Sequence, residues 1–295
     1  MASEERSLVF LGTPAAAATV LERLLDEGFP IVHVVTQPDA KRGRGSALSP
    51  SPVKAVALER GLDVSHNLDW LKQHATQNLL GIVVAYGRLI PTSVLERVPM
   101  INIHFSLLPR WRGAAPVERA ILAGDHQTGV CIMDIEPTLD TGAVYASQEV
   151  PITSSSTASS LTSELAVVGA QLLVDTLREG LGTPVAQSGE VTHAAKISRD
   201  ELKIDWSQSA IDVHRHVRAL RAYTEVDGTR VKVLEVEIDS SEGELSAGQF
   251  TSNGVVGTGG GTVVLRRVQP EGKSAMDAQS WLRGRPASAS HLFTL

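Results

Sequence analysis

Residues 8–27 read LVFLGTPAAAATVLERLLDE and contain three consecutive signals for local structure. The apolar run at residues 8–11 precedes the turn Gly12-Thr13-Pro14, which predicts a buried β-strand that ends in a tight turn. From Ala15 to Glu27 the apolar side chains recur at helical spacing, which predicts an amphipathic helix. The chain is therefore expected to open with a β-turn-α unit.

Further strands and helices alternate along the first half of the chain. Apolar, β-branched runs follow at residues 31–35, 82–85 and 101–104, with helical segments such as residues 53–60 between them. This alternation predicts an α/β fold with a Rossmann-like, mostly parallel sheet that is covered on both faces. Ligands bind such sheets outside the carboxyl ends of the strands, where polar or glycine-rich segments stand here.

The C-terminal part of the chain has a different pattern. Gly180 and Gly182 end a long amphipathic helix, and the small polar residues 183–194 predict a linker. A short helix at residues 209–220 precedes strand-like segments, which together predict a small β-barrel. We expect a first domain over residues 1–182, a linker over residues 183–201 and a barrel over residues 202–295.

Composition limits the class of protein and of partner. The net charge of −6 disfavours a polyanionic partner, but from residue 192 onward thirteen Lys and Arg balance thirteen Asp and Glu. The C-terminal part is therefore compatible with one basic face. No apolar run at the N-terminus is long enough for a signal peptide or a membrane span, so we expect a cytoplasmic protein without a membrane partner.

The strongest chemical signal is INIHFSLLPRWRGAAP, residues 101–116. Asn102 and His104 are two positions apart in a predicted strand, so their side chains share a face at its carboxyl end. Asp140 follows another predicted strand and offers a carboxylate that can orient the imidazole. An amide, an imidazole and a carboxylate without a Ser or Cys nucleophile suit direct acyl transfer to an amine, because no covalent enzyme intermediate is needed.

Two types of cofactor are not indicated. Gly12-Thr13-Pro14 lacks the Gly-x-Gly-x-x-Gly pattern, with Pro14 where that pattern requires glycine, so no nicotinamide cofactor is expected. His214 and His216 are two residues apart on a predicted helix and point to different sides. Cys131 is the only cysteine, and the apolar run around it is typical of a buried packing residue. Neither the histidines nor this cysteine forms a metal-ligand pattern, so no metal is expected.

Residues 102–116, together with residues 139–142, resemble the signature of the 10-formyltetrahydrofolate-dependent formyltransferases. The string at residues 105–116 is similar to the methionyl-tRNA branch of that family. Other segments stand in the same order and at similar spacing as in that branch, namely residues 12–14, 36–39, 43–45, 50–54 and 83–87. Residues 268–273 resemble the closing motif of the family's oligonucleotide-binding-like (OB-like) barrel, so the resemblance covers nearly the whole chain.

The resemblance implies a set of roles for individual residues. It implies a catalytic triad at Asn102, His104 and Asp140. It also implies a folate-binding segment at Ser106, Leu107, Leu108 and Pro109. The wall of the pterin pocket would be formed by Arg88, Leu89 and Ile90. The formyl donor would be 10-formyltetrahydrofolate, used without a metal.

The same resemblance implies the acceptor. Methionyl-initiator-tRNA would be formylated on its amino group, and Arg42 and Arg44, in a cationic loop at residues 39–49, would contact the tRNA. The protein is expected to be a monomer. Two segments are shorter than in the family's pattern, at residues 68–80 and in the connection after Ala222, which leaves linker and barrel contacts with tRNA open.

Two alternative functions stay open. A formyltransferase of the same superfamily that acts on an amino sugar nucleotide or a glycinamide nucleotide would share the triad without needing the cationic loop or the barrel. A non-catalytic RNA-binding protein that kept the fold is the second alternative. The intact Asn102, His104 and Asp140 disfavour it.

Overall fold

The computed structural model of the chain describes residues 6–41, 48–75, 78–239, 245–286 and 288–294. The chain divides into two compact units. The first unit comprises Met1–Pro116, Gln127–Pro151 and Ser159–Ala194. The second comprises Val117–His126, Ile152–Ala158 and Ala195–Leu295.

The elements are numbered in chain order. The strands are β1 (Ser7–Gly12), β2 (Ile31–Val35), β3 (Ala40–Lys41), β4 (Leu48–Ser49), β5 (Val64–Ser65), β6 (Leu79–Val84), β7 (Met100–His104), β8 (Arg112–Gly113), β9 (Gln127–Asp134), β10 (Val144–Pro151), β11 (His193–Ala194), β12 (Tyr223–Val226), β13 (Thr229–Asp239), β14 (Val255–Gly257), β15 (Thr262–Pro270) and β16 (Met276–Asp277). The helices are α1 (Ala15–Asp26), α2 (Pro52–Glu59), α3 (Asp69–His74), α4 (Thr92–Leu95), α5 (Pro116–Ala123), α6 (Ala158–Glu179), α7 (Ala210–Ala219) and α8 (Ala278–Arg283).

The central sheet of the first unit has the strand order β10-β9-β7-β6-β1-β2-β5. The pairs from β7 through β6, β1 and β2 to β5 are parallel, whereas β9 is antiparallel to both β7 and β10. The prediction of a mostly parallel α/β sheet is therefore confirmed. The carboxyl ends of β6 and β7 lie at the same edge of the sheet, because parallel neighbours share their direction.

The predicted β-turn-α opening is present as β1, a turn and α1. Gly12 allows α1 to lie close to the sheet, since a Cβ on it would lie 2.8 Å from the Ala17 Cβ and 3.0 Å from the Val84 carbonyl oxygen. The helix buries Val20, Leu21 and Leu24, as its apolar spacing predicts. A close strand-to-helix turn leaves the strand end open toward a ligand site.

The second unit is built on a curled antiparallel half-barrel with the strand order β12-β13-β15-β14, and β16 pairs with β15. Its core includes Trp206, whose indole N–H donates to the Thr224 hydroxyl over 2.9 Å. Trp206 stacks on Phe293 with 5.2 Å between ring centroids, and Phe293 stacks on Phe250 at 4.4 Å. The expected small barrel after the α/β sheet is thus confirmed as a fold class.

The segment predicted as a linker, residues 183–201, is divided between the two units. Residues up to Ala194 belong to the first unit, where Val185 and Val144 exchange backbone hydrogen bonds of 2.8 Å and β11 pairs in parallel with β8. Residues from Ala195 onward belong to the second unit. The second unit also takes in two segments from the range expected for the first domain, Val117–His126 and Ile152–Ala158.

None of the helices in the described ranges combines the length and the hydropathy needed to cross a bilayer.

Candidate active site

A cavity of about 800 Å³ lies in the first unit and is lined by the loops that follow β6, β7 and β9. Asn102 and His104, at alternate positions of β7, both line it, as does Ile103 between them. Asp140 also lines it, from the loop after β9. The structure therefore brings together the three residues that sequence reasoning selected, and the cavity has the size of a cofactor-binding pocket.

His104 is held from two sides. Its Nε2 lies 2.9 Å from the Trp111 carbonyl oxygen. Since a carbonyl only accepts, Nε2 is the nitrogen that donates in this arrangement, and Nδ1 faces Asp140. The Nδ1 atom is 3.7 Å from Asp140 Oδ2, which is too long for a hydrogen bond.

The Asp140 carboxylate is fixed by the main chain. The Gly113 N–H donates to Asp140 Oδ2 over 2.8 Å, and this links the loop after β7 to the loop after β9. Asp140 itself has a φ of 52°, in the left-handed region that is unfavourable for a residue with a Cβ. Local contacts must therefore stabilise this conformation, and the carboxylate is presented in one orientation beside His104.

The loop after β6 forms an apolar wall of the cavity, and Arg88, Leu89 and Ile90 all line it. The Tyr86 carbonyl at the start of this loop accepts hydrogen bonds from Thr13 Oγ1 at 3.2 Å and Gln37 Nε2 at 3.1 Å. Burial raises the pKa of the Tyr86 hydroxyl above its usual value. The loop is thus anchored to the ends of neighbouring strands.

Two leucines at the cavity are unusually exposed for large apolar side chains. Leu89 is 83% exposed and Leu139 is 59% exposed, and both line the cavity. An apolar surface beside polar catalytic candidates suits a ligand with a flat, partly apolar body.

The four residues expected to form the folate-binding segment do not line this cavity. Ser106 is buried and donates to the Arg110 carbonyl over 2.5 Å. Leu107 and Leu108 line a second cavity of about 510 Å³ in the same unit, and Pro109 is buried. The structure therefore places Ser106, Leu107, Leu108 and Pro109 in the turn that follows β7, and their contact with folate stays a prediction.

Arg42 and Arg44, expected to contact tRNA, lie outside the described residues. On either side of them, β3 pairs in antiparallel fashion with β4, which joins Ala40 to Ser49 and Lys41 to Leu48. Lys54 and Asp39 form an ion pair of 2.8 Å beside this ribbon.

The contribution of residues 185–194 was missed by sequence reasoning. The Arg112 N–H donates to the Thr192 carbonyl over 3.0 Å, and the Trp111 N–H donates to Thr192 Oγ1 over 2.8 Å. The segment therefore fixes the loop that carries the Trp111 carbonyl to His104. Its small, polar composition is typical of a linker, and only its pairing with β8 distinguishes it.

Across the described ranges, no group of three or more His, Cys, Asp or Glu side chains is arranged to hold a metal ion.

Comparison with protein families gives two matches along the chain. Residues 5–177 match the family described as formyl transferase. Residues 196–286 match the family described as formyl transferase, C-terminal domain. The first match alone covers more than half of the 295 residues.

Solved structures share the fold. WlaRD, a sugar 3N-formyl transferase studied with dTDP and 5-N-formyl-THF, is 17% identical with a TM-score of 0.70, over 92% of this chain and 100% of that one. The N-formyltransferase from Helicobacter canadensis, in complex with folinic acid and dTDP-3-aminofucose, is 17% identical with a TM-score of 0.66. This match covers 89% of this chain and 98% of that one. A HypX variant from Aquifex aeolicus is 19% identical with a TM-score of 0.64 over 96% of this chain. This chain spans only 49% of HypX, and at such identities the likeness shows the fold alone.

Proposed function

The chain belongs to the formyl transferase family, and we propose that it moves the formyl group of 10-formyltetrahydrofolate onto the amino group of methionyl-initiator-tRNA. The observation that carries the proposal is the convergence of Asn102, His104 and Asp140 on one cavity with an apolar wall. These groups can stabilise an oxyanion and manage a proton, which is what acyl transfer to an amine requires.

The reaction is a direct displacement at the formyl carbon. The acceptor amine forms a new bond to this carbon, the bond from the carbon to the folate nitrogen breaks, and the proton lost by the amine ends on that nitrogen. Asn102 and His104 stabilise the negative charge that develops on the formyl oxygen. Asp140, whose Oδ2 lies 3.7 Å from His104 Nδ1, orients the imidazole and takes the amine proton through water.

A covalent intermediate is not needed for this transfer. Among the described residues that line the cavity, none is a serine or a cysteine. Cys131 is buried, and burial raises the pKa of its thiol, which disfavours the reactive thiolate.

The cavity suits a folate donor. Its wall of Arg88, Leu89 and Ile90 offers one cation and two apolar side chains to a flat ring with polar edges. Two structures of similar fold were studied with 5-N-formyl-THF and with folinic acid, which supports a reduced formyl folate as the donor here. The proposal also includes contact of the donor with Ser106, Leu107, Leu108 and Pro109, the segment that the resemblance assigns to folate binding.

The methionyl-tRNA acceptor is supported by the resemblance of the cationic loop and of the segments along the chain to that branch. Residues 42–47, with Arg42 and Arg44, connect the two strands of the β3–β4 ribbon, and Lys41 on that ribbon is exposed. Cations of this kind bind phosphates and base edges. A sugar-linked amine is the second candidate, because the similar folds include enzymes named for sugar formylation.

The experiment measures transfer of labelled formyl from 10-formyltetrahydrofolate to methionyl-initiator-tRNA and, in parallel, to an amino sugar nucleotide. Variants are His104→Ala and the double variant Arg42→Ala, Arg44→Ala. The control removes two exposed cations elsewhere, Lys72→Ala with Arg97→Ala. The proposal is supported if His104→Ala abolishes transfer to tRNA, and if the Arg42, Arg44 variant weakens it while the Lys72, Arg97 control does not. If formyl is transferred to the amino sugar nucleotide and not to tRNA, the acceptor is a sugar-linked amine and the proposed tRNA acceptor is wrong.

A further inference from the structure

Gln187 lies in the segment predicted as a linker, and its side-chain amide bonds to two separate loops of the site. Its Oε1 accepts hydrogen bonds from Arg112 Nε at 3.0 Å and from Arg112 Nη2 at 2.6 Å. Its Nε2 donates to the Asp140 carbonyl at 2.9 Å and to the Gly142 carbonyl at 2.8 Å. One partly buried side chain thus joins the loop after β7 to the loop after β9.

The amide has only one orientation that satisfies all four bonds. Two carbonyl oxygens require donors, and a guanidinium requires an acceptor, so the Nε2 and Oε1 ends cannot be exchanged. A carboxylate in the same place keeps the Arg112 side but sets an oxygen against two carbonyl oxygens. The position therefore requires both the N–H donor and the oxygen acceptor of a glutamine amide, and not only a side chain of its size.

These bonds act on the residue that faces His104. Asp140 has a φ of 52°, and such a conformation in a residue with a Cβ persists only where its surroundings fix it. Gln187 binds its carbonyl, while the Gly113 N–H binds its carboxylate. Gly142 is also tightly enclosed, since a Cβ there would lie 2.0 Å from the Asp134 carbonyl oxygen.

We infer that Gln187 is a positioning residue for the formyl transfer, which it supports by holding Asp140 beside His104. The inference rests on the proposed function and assigns a role within that site. Gln187 lines the 510 Å³ cavity with Leu107 and Leu108 and not the 800 Å³ cavity that holds the triad, so we expect its loss to act on turnover more than on donor binding. A displacement of a catalytic group by about 1 Å costs up to about 100-fold in rate.

Two substitutions of similar size test the inference. Gln187→Glu keeps the Arg112 bonds and loses those to the Asp140 loop, whereas Gln187→Met loses both. We expect kcat to fall by about 10- to 100-fold in both variants, with the KM for the donor within about twofold of wild type. The matched control is Gln148→Glu, the same change at an exposed glutamine of β10. A Gln187→Glu variant with wild-type kcat would overturn the inference, because the bonds to Arg112 alone would then suffice.

A second readout does not depend on the acceptor. The nitrogen chemical shifts of the His104 ring, assigned by their absence in His104→Ala, report whether the carboxylate remains beside Nδ1. We expect them to move in Gln187→Glu and to stay unchanged in Gln148→Glu. Unchanged His104 shifts in Gln187→Glu contradict the inference. If wild type formylates neither acceptor, the proposed function fails while the ring shifts still test the positioning.

Discussion

The cavity loops of the first unit and the core of the second unit are ordered by different forces. Around the cavity, Ala85, Trp111 and Asp140 have φ values of 44°, 64° and 52°, and hydrogen bonds to neighbouring segments hold their loops. In the second unit, stacked rings such as Trp206 and Phe293 fill a buried volume. The geometry of the site therefore depends on hydrogen bonds, whereas the stability of the core depends on how well buried side chains fill it. Each region should respond to a different kind of substitution.

The largest effect on stability is expected from emptying the ring core. Trp206→Ala removes a fully buried side chain and its hydrogen bond to Thr224, and should lower the free energy of unfolding by about 3–5 kcal/mol. Urea unfolding measures the change, with Trp206→Phe as the milder control because it keeps most of the volume. A loss below about 1 kcal/mol in Trp206→Ala would show that the core does not depend on this ring.

The next effect should appear in catalysis with little change in stability. Asn102→Ala removes a donor from the cavity, so kcat for formyl transfer should fall by about 100- to 1,000-fold. Single-turnover rates with saturating donor measure it, and Asn253→Ala, at an exposed turn of the second unit, is the control. Full turnover in Asn102→Ala would remove this residue from the mechanism.

Replacing a glycine by alanine should be more harmful in a loop of the active site than in an exposed turn. Gly113→Ala adds a Cβ only 2.6 Å from the Ala194 carbonyl oxygen, at a φ of 129°, and should cost roughly 1–3 kcal/mol. Activity should fall as well, by about tenfold, because the Gly113 N–H orients Asp140. Gly272→Ala, at a φ of 74° with no atom near its Cβ, controls for backbone conformation alone. Equal activity losses in the two variants would contradict the role of the β8–β11 contact.

The smallest effect concerns an ion pair of the second unit. Hydrogen bonds from the Arg119 side chain and the Ser198 N–H lower the pKa of Glu201 from 4.5 to about 2. A lowered folded-state pKa contributes stability above the unfolded value, and the contribution is lost as the pH falls from about 4.5 towards about 2. Glu201→Gln should remove this part of the pH dependence of the free energy of unfolding. The change should be less than about 1 kcal/mol, because the ion pair is partly exposed. An unchanged slope would show that the pair contributes nothing.

The sequence predicts those parts of the molecule that depend on local periodicity. The β1–α1 unit, the run that forms β7 and the side shared by Asn102 and His104 follow from spacing alone. The return of residues 185–194 to pair with β8 does not, because composition carries no information about a distant partner. Nor does the sequence show that Val117–His126 joins the second unit, or that the turn after β7 directs Leu107 and Leu108 to another cavity.

The most direct test of formyl transfer at the Asn102, His104 and Asp140 site is the single-turnover rate of Asp140→Asn with saturating 10-formyltetrahydrofolate and methionyl-initiator-tRNA. An asparagine oxygen still accepts from the Gly113 N–H but carries no charge beside His104 Nδ1. The account predicts that the rate falls by at least about 100-fold while donor binding is unchanged. Transfer at the wild-type rate would contradict it, because the carboxylate beside His104 would then have no part in the chemistry.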